Sequence, residues 1–322
     1  MRNVGKPPGR PWTWGAVDES GQRVLRRSGQ GRGEVVRDNT TGRQPQGGAR
    51  LKRIDTHTHP KMSKHFSFDS RSVDRMVRMA ARVGLDGLAL TEHFHGRDFW
   101  AIYKHLYRQY PSEGGVFWAD GVAILPGAEM NIREGAHVIV LGEVAELRRL
   151  DCAFAKHLSD GYEPGLREFL DVTDDFDVTR IGAHMFRPTK ELGKFSAVDL
   201  RRLHALEVNG KDFGTELMLV VQARALGLPI VAGSDAHHWL QLGVRHSVVH
   251  TEEITVRSIM KAIKEGLTGY GVGAYTPLRV KTAKSLKTIT KVLRKYYGAI
   301  HAGRDQHTGW ARPKAPEKPV VS

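Results

Sequence analysis

From Leu51 onward, short apolar runs alternate with amphipathic stretches, and this alternation limits the chain to a small set of architectures. The runs suited to strands are Leu51–Asp55, Gly87–Leu90, Val122–Leu125, Val138–Leu141, Thr179–Gly182, Ala205–Val208 and Pro229–Ala232. Between them the periodicity predicts helices over Ser72–Val83, Gly214–Leu226 and Thr255–Glu265. In the first, Val73, Met76, Val77 and Ala80 recur at helical spacing, so one face is apolar. Strands alternating with helices make βα units, which build a parallel sheet covered by helices. Seven strands favour an α/β barrel that is closed or nearly closed; an open doubly wound sheet is the alternative.

The titratable residues fall where such a barrel would gather them. Asp55, His57 and His59 follow the first strand in Asp-Thr-His-Thr-His, and Glu92 and His93 follow the second in Leu-Thr-Glu-His. Glu129 follows the third, His184 the fifth, Asn209 the sixth, and Asp235 and His237 the seventh. The carboxyl ends of barrel strands converge on one mouth, where active sites are built. His137 is the exception, because it opens its strand. His-x-His on an extended chain directs both imidazoles to one side. Two imidazoles and a carboxylate hold a divalent metal at about 2.0–2.2 Å. Asp235-x-His237 repeats the arrangement, and a carboxylate such as Glu129 can bridge two metals. The pattern therefore predicts metal binding by His57, His59, Glu129 and Asp235, and a donor set without thiolate suits Zn, Mn or Fe. The remaining histidines, such as His95, His204 and His238, fit no such pattern and read as ordinary polar residues.

Composition narrows the class further. The 322-residue chain carries a formal net charge of +14, which could suggest nucleic acid, but the charge is unevenly placed. Residues 1–53 hold 12 Lys/Arg against 4 Asp/Glu, residues 277–322 hold 11 against 2, and residues 54–276 hold 26 against 29. The middle is thus an ordinary, slightly acidic domain with basic ends, and such charge bears on association rather than fold. A single cysteine, Cys152, excludes an intramolecular disulfide. No run approaches the roughly 20 apolar residues needed to span a bilayer, and the basic start is not followed by a signal-peptide pattern. These features fit a cytoplasmic protein. Residues 1–50, rich in Gly, Arg and Pro, read as a disordered basic extension, and residues 51–276 as the barrel that carries the metal donors. Pro277–Tyr297 reads as a basic amphipathic helix, with Leu286, Ile289, Leu293 and Tyr296 on one face, and 298–322 as a flexible tail.

In combination and in this order, Asp55-Thr-His-Thr-His59, Leu90-Thr-Glu-His93, Pro126-Gly-Ala-Glu129, Gly182-Ala-His184 and Gly233-Ser-Asp-Ala-His237 resemble the PHP (polymerase and histidinol phosphatase) family. The resemblance runs from about Ile54 to about Gly273. It implies a distorted (β/α)7, TIM-like barrel with a trinuclear metal site, and activity as a phosphoesterase. By position, one metal would be held by His57, His59, Glu129 and Asp235. A second would share Glu129 and use His137 and His184; a third would use His93, His237 and a residue after the His-x-His motif. His65 stands at the spacing some members use for that last ligand, with Asp69 as the alternative, and the family's usual Ser-x-Asp-Gly stretch is absent here.

The functional expectation is a phosphoesterase with two to three divalent metals, using a metal-bound hydroxide on a small phosphorylated metabolite or nucleotide. Asp235 would orient the nucleophile with His237 beside it, and Arg187, three residues after His184, would grip phosphate bidentately. Asn209 and Lys211 are candidate substrate contacts. The alternatives are hydrolysis of a non-phosphate bond, amidohydrolase-like, and a non-catalytic module that binds nucleic acid through its basic ends.

Overall fold

A computed structural model describes residues 50–307 apart from 64–65, 95, 160–161, 189, 191 and 275, together with strand segments 12–17, 23–27 and 35–38. Strands β1 (Trp12–Val17), β2 (Arg23–Arg27) and β3 (Val35–Asp38) come first. There follow β4 (Arg50–Thr58), α1 (Ser70–Arg82), β5 (Gly87–Leu90), α2 (Phe99–Gln109), β6 (Ser112–Glu113), β7 (Val116–Ala119), β8 (Val122–Asn131) and β9 (His137–Gly142). Helices α3 (Val144–Ser159) and α4 (Leu166–Thr173) lead to β10 (Val178–Gly182), and α5 (Ala197–Leu200) leads to β11 (Ala205–Asn209). The chain continues through α6 (Glu216–Leu226), β12 (Ile230–Gly233), β13 (Arg245–Thr251), α7 (Val256–Lys264), β14 (Thr268–Val272) and α8 (Thr276–His307).

The hydrogen-bonded strand order is β1-β2-β3-β14-β13-β4-β5-β8-β9-β10-β11-β12. The seven strands expected from sequence are β4, β5 and β8 to β12, which are contiguous along this path. The sheet curls until β12 faces β4. There Thr56 Oγ1 donates to Ala232 O at 3.0 Å, and beyond the strand ends the His59 amide donates to Ala236 O at 2.8 Å. The result is the nearly closed, TIM-like barrel the pattern favoured.

One strand departs from the parallel expectation. β9 pairs antiparallel with both β8 and β10. Asn131 and His137 are partners in the ladder, so only the turn 132–136 joins β8 to β9. A parallel return needs a crossover of about a dozen residues or more, which this turn cannot supply. The reversal removes the anomaly of His137: the first residue of β9 lies level with the carboxyl ends of β8 and β10.

The helices form where apolar faces meet the sheet. α1 buries Val73, Met76, Val77 and Ala80, and the Asp69 side chain caps it by accepting the Arg71 amide. Burying a Val or Met side chain stabilises by about 1.5–3 kcal/mol. Inside the barrel, Ile54, Leu125, Ile139, Ile181, Val231 and Val249 form one cluster with Ile259 and Ile263 of α7. Thr251 pairs with Arg50 at the start of β4, so α7, which follows, closes the end of the barrel opposite the strands' carboxyl ends.

Two further differences lie at the chain's ends. The segment read as disordered contains β1 to β3, which extend the sheet past β14, with Val36 opposite Gly271. The free edge of β14 offers unpaired amides and carbonyls as a template, a long-range opportunity invisible in a local pattern. The last helix runs past the expected end at Tyr297 to His307. Among the described residues no helix is long and apolar enough to cross a membrane.

Candidate metal centre

Glu129 lies near the carboxyl end of β8, fully buried, and its two oxygens organise the site. Oε1 is 2.6 Å from His137 Nδ1, 3.1 Å from His184 Nε2 and 3.5 Å from His57 Nε2. Oε2 is 3.1 Å from His93 Nδ1 and 3.4 Å from His59 Nε2. Five imidazoles carried by or following β4, β5, β9 and β10 therefore converge on one carboxylate. Asp235 faces it across the mouth, with Oδ1 3.5 Å from His59 Nε2, 3.9 Å from His57 Nε2 and 3.4 Å from His237 Nδ1.

Three groups of donors have all their ligand atoms within 4.8 Å of one another: His57, His59 and Asp235; His93, Glu129 and His137; and His59, His93 and His237. Each expected ligand among the described residues thus lies in this cluster, His184 joining it through Glu129. The grouping differs from the expectation in placing His59 beside His93 and His237, and His93 rather than His184 beside Glu129 and His137. His65 lies outside the described residues. Asp69 is committed elsewhere: it caps α1 and pairs with Arg71 at 3.2 Å and Arg75 at 3.1 Å.

The electrostatics suit cations. Burial raises the pKa of Glu129, but His137 and His57 outweigh it and hold the carboxyl well below its ordinary value. Burial likewise opposes ionisation of Asp235, and Lys211 and His57 overcome it. His93 is pushed down to about 4 by burial, and burial also lowers His59 and His184. Burial thus favours the neutral form of these imidazoles, the form in which histidine ligates a metal. His57 is the contrary case. Burial opposes its charge, yet Glu207, Glu129 and Asp235 together raise its pKa well above the ordinary value. A cation on its Nε2 answers the same three carboxylates as a proton would. His59 Nδ1, His93 Nδ1, His184 Nδ1 and Glu92 Oε2 are buried without a hydrogen-bond partner. Uncompensated buried polar atoms are costly, and of these four His93 Nδ1 is the one that faces Glu129, 3.1 Å from Oε2, where a divalent metal would take up its lone pair. The donor set fits the metals expected.

Backbone geometry is strained at the same place. His184 and Asp235 have φ of 34° and 51°. Such conformations cost of the order of 1–3 kcal/mol each and gather at functional sites.

Arg187 is drawn into the site, though not as a free fork. Its Nε donates to Asp212 Oδ1 at 2.9 Å, and Nη2 donates to Asn209 Oδ1 and Asp235 Oδ2, both at 3.0 Å. The edge expected to clasp phosphate is therefore occupied by three acceptors. Lys211 Nζ lies 2.8 Å from Asp235 Oδ1 and 3.2 Å from His237 Nδ1. Beside His59 and His237 opens a cavity of about 330 Å³ walled by Met62, Phe66, Met76 and Trp239, with Arg75 also lining it.

Two residues, Glu207 and Asp212, escaped the sequence reading of the site, and a third, Asp55, was gathered there without a role. Asp55, first in its motif, accepts the amides of His57 (3.3 Å), Ser234 (2.8 Å) and Gly243 (2.9 Å), so it ties β4 to the Asp235 loop. Burial nonetheless pushes it up to about 6. Glu207 accepts from His57 Nδ1 at 2.8 Å. Its position two before Asn209 on one strand was the available signal, since alternate residues share a face. Asp212 had none.

A family model described as PHP-associated matches residues 222–268. No curated protein sequence matches the chain. Among solved structures, PsfC from Pseudomonas syringae is similar, at 25% identity and a TM-score of 0.64, over 74% of this chain and 99% of PsfC. The lesion-specific endonuclease PfuEndoQ from Pyrococcus furiosus is similar in fold, at 19% identity and a TM-score of 0.55, over 67% of this chain. The chain spans 56% of that endonuclease.

Proposed function

We propose that this chain, which belongs with the PHP family, is a metal-dependent phosphoesterase acting on a small phosphorylated metabolite or nucleotide. The observation that carries the reading is the buried cluster of five imidazoles on Glu129, faced by Asp235 and two cations, at the open end of the barrel. His57, His59, His93, Glu129, His137, His184, Asp235 and His237 would hold two to three divalent ions, Zn, Mn or Fe, with His65 the expected further ligand. Such ions supply a water of lowered pKa and neutralise charge on phosphoryl oxygens.

The chain's own residues do the rest. Lys211 and His57 hold Asp235 ionised against its burial, and Arg187 pairs with it at 3.0 Å, so its carboxylate serves as an anchor and an orienting acceptor rather than as a base poised near neutral pH. Nη1 of Arg187, the donor nitrogen not bonded to Asp212, Asn209 or Asp235, offers one contact to a phosphate oxygen in place of the bidentate clasp. Lys211 adds a second positive charge at the same edge. The cavity walled by Met62, Phe66, Met76 and Trp239 receives the organic part of the ester. Residues 51–276 form the catalytic unit, with a cytoplasmic setting and with the basic ends outside the chemistry.

The test joins metal analysis to a substrate screen. Protein purified without chelator carries two to three equivalents of metal and hydrolyses at least one phosphoester from a panel of phosphosugars, nucleotides and phosphorylated amino alcohols. The panel includes a duplex with an abasic lesion, the substrate bound in a similar endonuclease Q structure. Less than one equivalent after Mn, Fe and Zn are offered overturns the metallohydrolase reading. Hydrolysis of amides or carboxyl esters, with every phosphoester inert, overturns the phosphate reading.

A further inference from the structure

We propose that Glu207 is a positioning residue that fixes the tautomer of His57, so that Nε2 presents its lone pair to the metal cluster. The inference rests on the metal reading above and concerns a residue outside the ligand set.

The geometry begins with the strand. Glu207 lies in β11, buried and only 1% exposed, and its two oxygens have different partners. Oε1 is 2.8 Å from His57 Nδ1. Oε2 accepts the His184 amide at 3.1 Å and the Asn209 side-chain amide at 3.0 Å. A carboxylate is acceptor-only, so Nδ1 of His57 must carry the proton in that contact. The neutral ring then has its lone pair on Nε2, which lies 3.1 Å from His59 Nε2 and 3.5 Å from Glu129 Oε1. Ligating histidines commonly donate their other N–H to a carboxylate in this way, and losing that partner costs about 10–100-fold in metal affinity.

The surroundings enforce the arrangement. Gly233 of β12 packs against the pair: a Cβ there would lie 2.7 Å from Glu207 Oε1 and 2.4 Å from His57 Cβ. No side chain larger than hydrogen fits between β12 and this contact. Glu207 also sets the amide of Asn209, whose nitrogen faces the carboxylate and whose oxygen therefore faces Arg187. One carboxylate thus orients a ligand on β4, the turn bearing His184 and the partner of Arg187.

Glu207→Gln isolates the effect. The amide offers one oxygen and one NH2 where three donors now point. With its oxygen toward His184 and Asn209, its NH2 faces His57 Nδ1, which must then accept, and the ring proton moves to Nε2. With its oxygen toward His57, two buried donors lose their acceptor, the costlier outcome. The substitution therefore protonates the nitrogen that should bind metal.

The experiment titrates metal-free full-length protein with Zn2+ against a competing chelator and records ring 15N and 1H spectra of His57 in the zinc-loaded state. The parent shows a slowly exchanging Nδ1–H. Glu207→Gln loses that resonance and binds zinc about 10–100-fold more weakly, while Glu207→Asp, which keeps an acceptor, recovers part of the affinity. A Gln variant with parental zinc affinity, or one that loses only thermal stability, overturns the proposal. If the Gln variant does not fold, the parent decides alone: a zinc-loaded His57 without Nδ1–H refutes the assignment. A parent that takes up none of Zn, Mn and Fe refutes the metal reading instead.

Discussion

Replacing Arg187 by lysine separates positive charge from geometry at the proposed phosphate edge. The guanidinium holds Asp212, Asn209 and Asp235 at once, at 2.9, 3.0 and 3.0 Å, with its side chain 23% exposed. A lysine ammonium is a point donor on a flexible stem and cannot span the three. It keeps the charge and loses at least one charge-assisted hydrogen bond, worth about 1.5–3 kcal/mol net. Asp235 retains Lys211 at 2.8 Å, so its ionisation and its metal survive. The loss then falls on orientation of the carboxylate and on the contact to phosphate. Converted at 1.36 kcal/mol per tenfold, turnover drops by about ten- to a hundredfold. The assay measures kcat and KM on the best phosphoester, inhibition by inorganic phosphate, and metal content by elemental analysis. Arg187→Lys shows reduced turnover and weaker phosphate inhibition with unchanged metal content. Arg187→Ala falls further, because Asp212 and Asp235 both lose that cation. Parental turnover and parental phosphate inhibition in both variants would make Arg187 a brace for the loop, and the reasoning fails.

Asp235→Asn keeps shape but removes the charge that faces Lys211, Arg187 and three imidazoles; turnover falls by at least about a hundredfold, as for loss of a positioned catalytic group, and near-normal turnover would remove Asp235 from the chemistry. His65→Ala lowers metal stoichiometry by about one. Asp69→Ala leaves it unchanged and instead weakens α1 by about 1 kcal/mol through loss of its cap, seen as a lower unfolding midpoint. The reverse pattern of metal loss moves the ligand to Asp69.

Much of the candidate site was legible because its expected ligands cling to strand ends. Asp55-Thr-His-Thr-His59 and Ser234-Asp-Ala-His237 each follow an apolar run, and the barrel brings such ends together whatever their separation in sequence. Arg187 was legible only by proximity to His184. Its three acceptors come from the β11 end and the Asp235 turn, and no local pattern states which of them a guanidinium will reach.

Local periodicity determined the seven strands and three of the helices, α1, α6 and α7, since each buries an apolar face that a 2.0 or 3.6 repeat displays. Residue chemistry at the strand ends determined the metal reading, because imidazoles and carboxylates that converge on one barrel mouth make up a donor set for divalent metal. Tertiary structure alone decided the direction of β9, and with it the place of His137 at the mouth. It alone joined Glu207 to His57 across 150 residues. It alone laid β3 along the edge of β14. These are pairings between distant segments. Their energy comes from matching donors to acceptors once the barrel has formed, so no stretch of sequence carries them by itself.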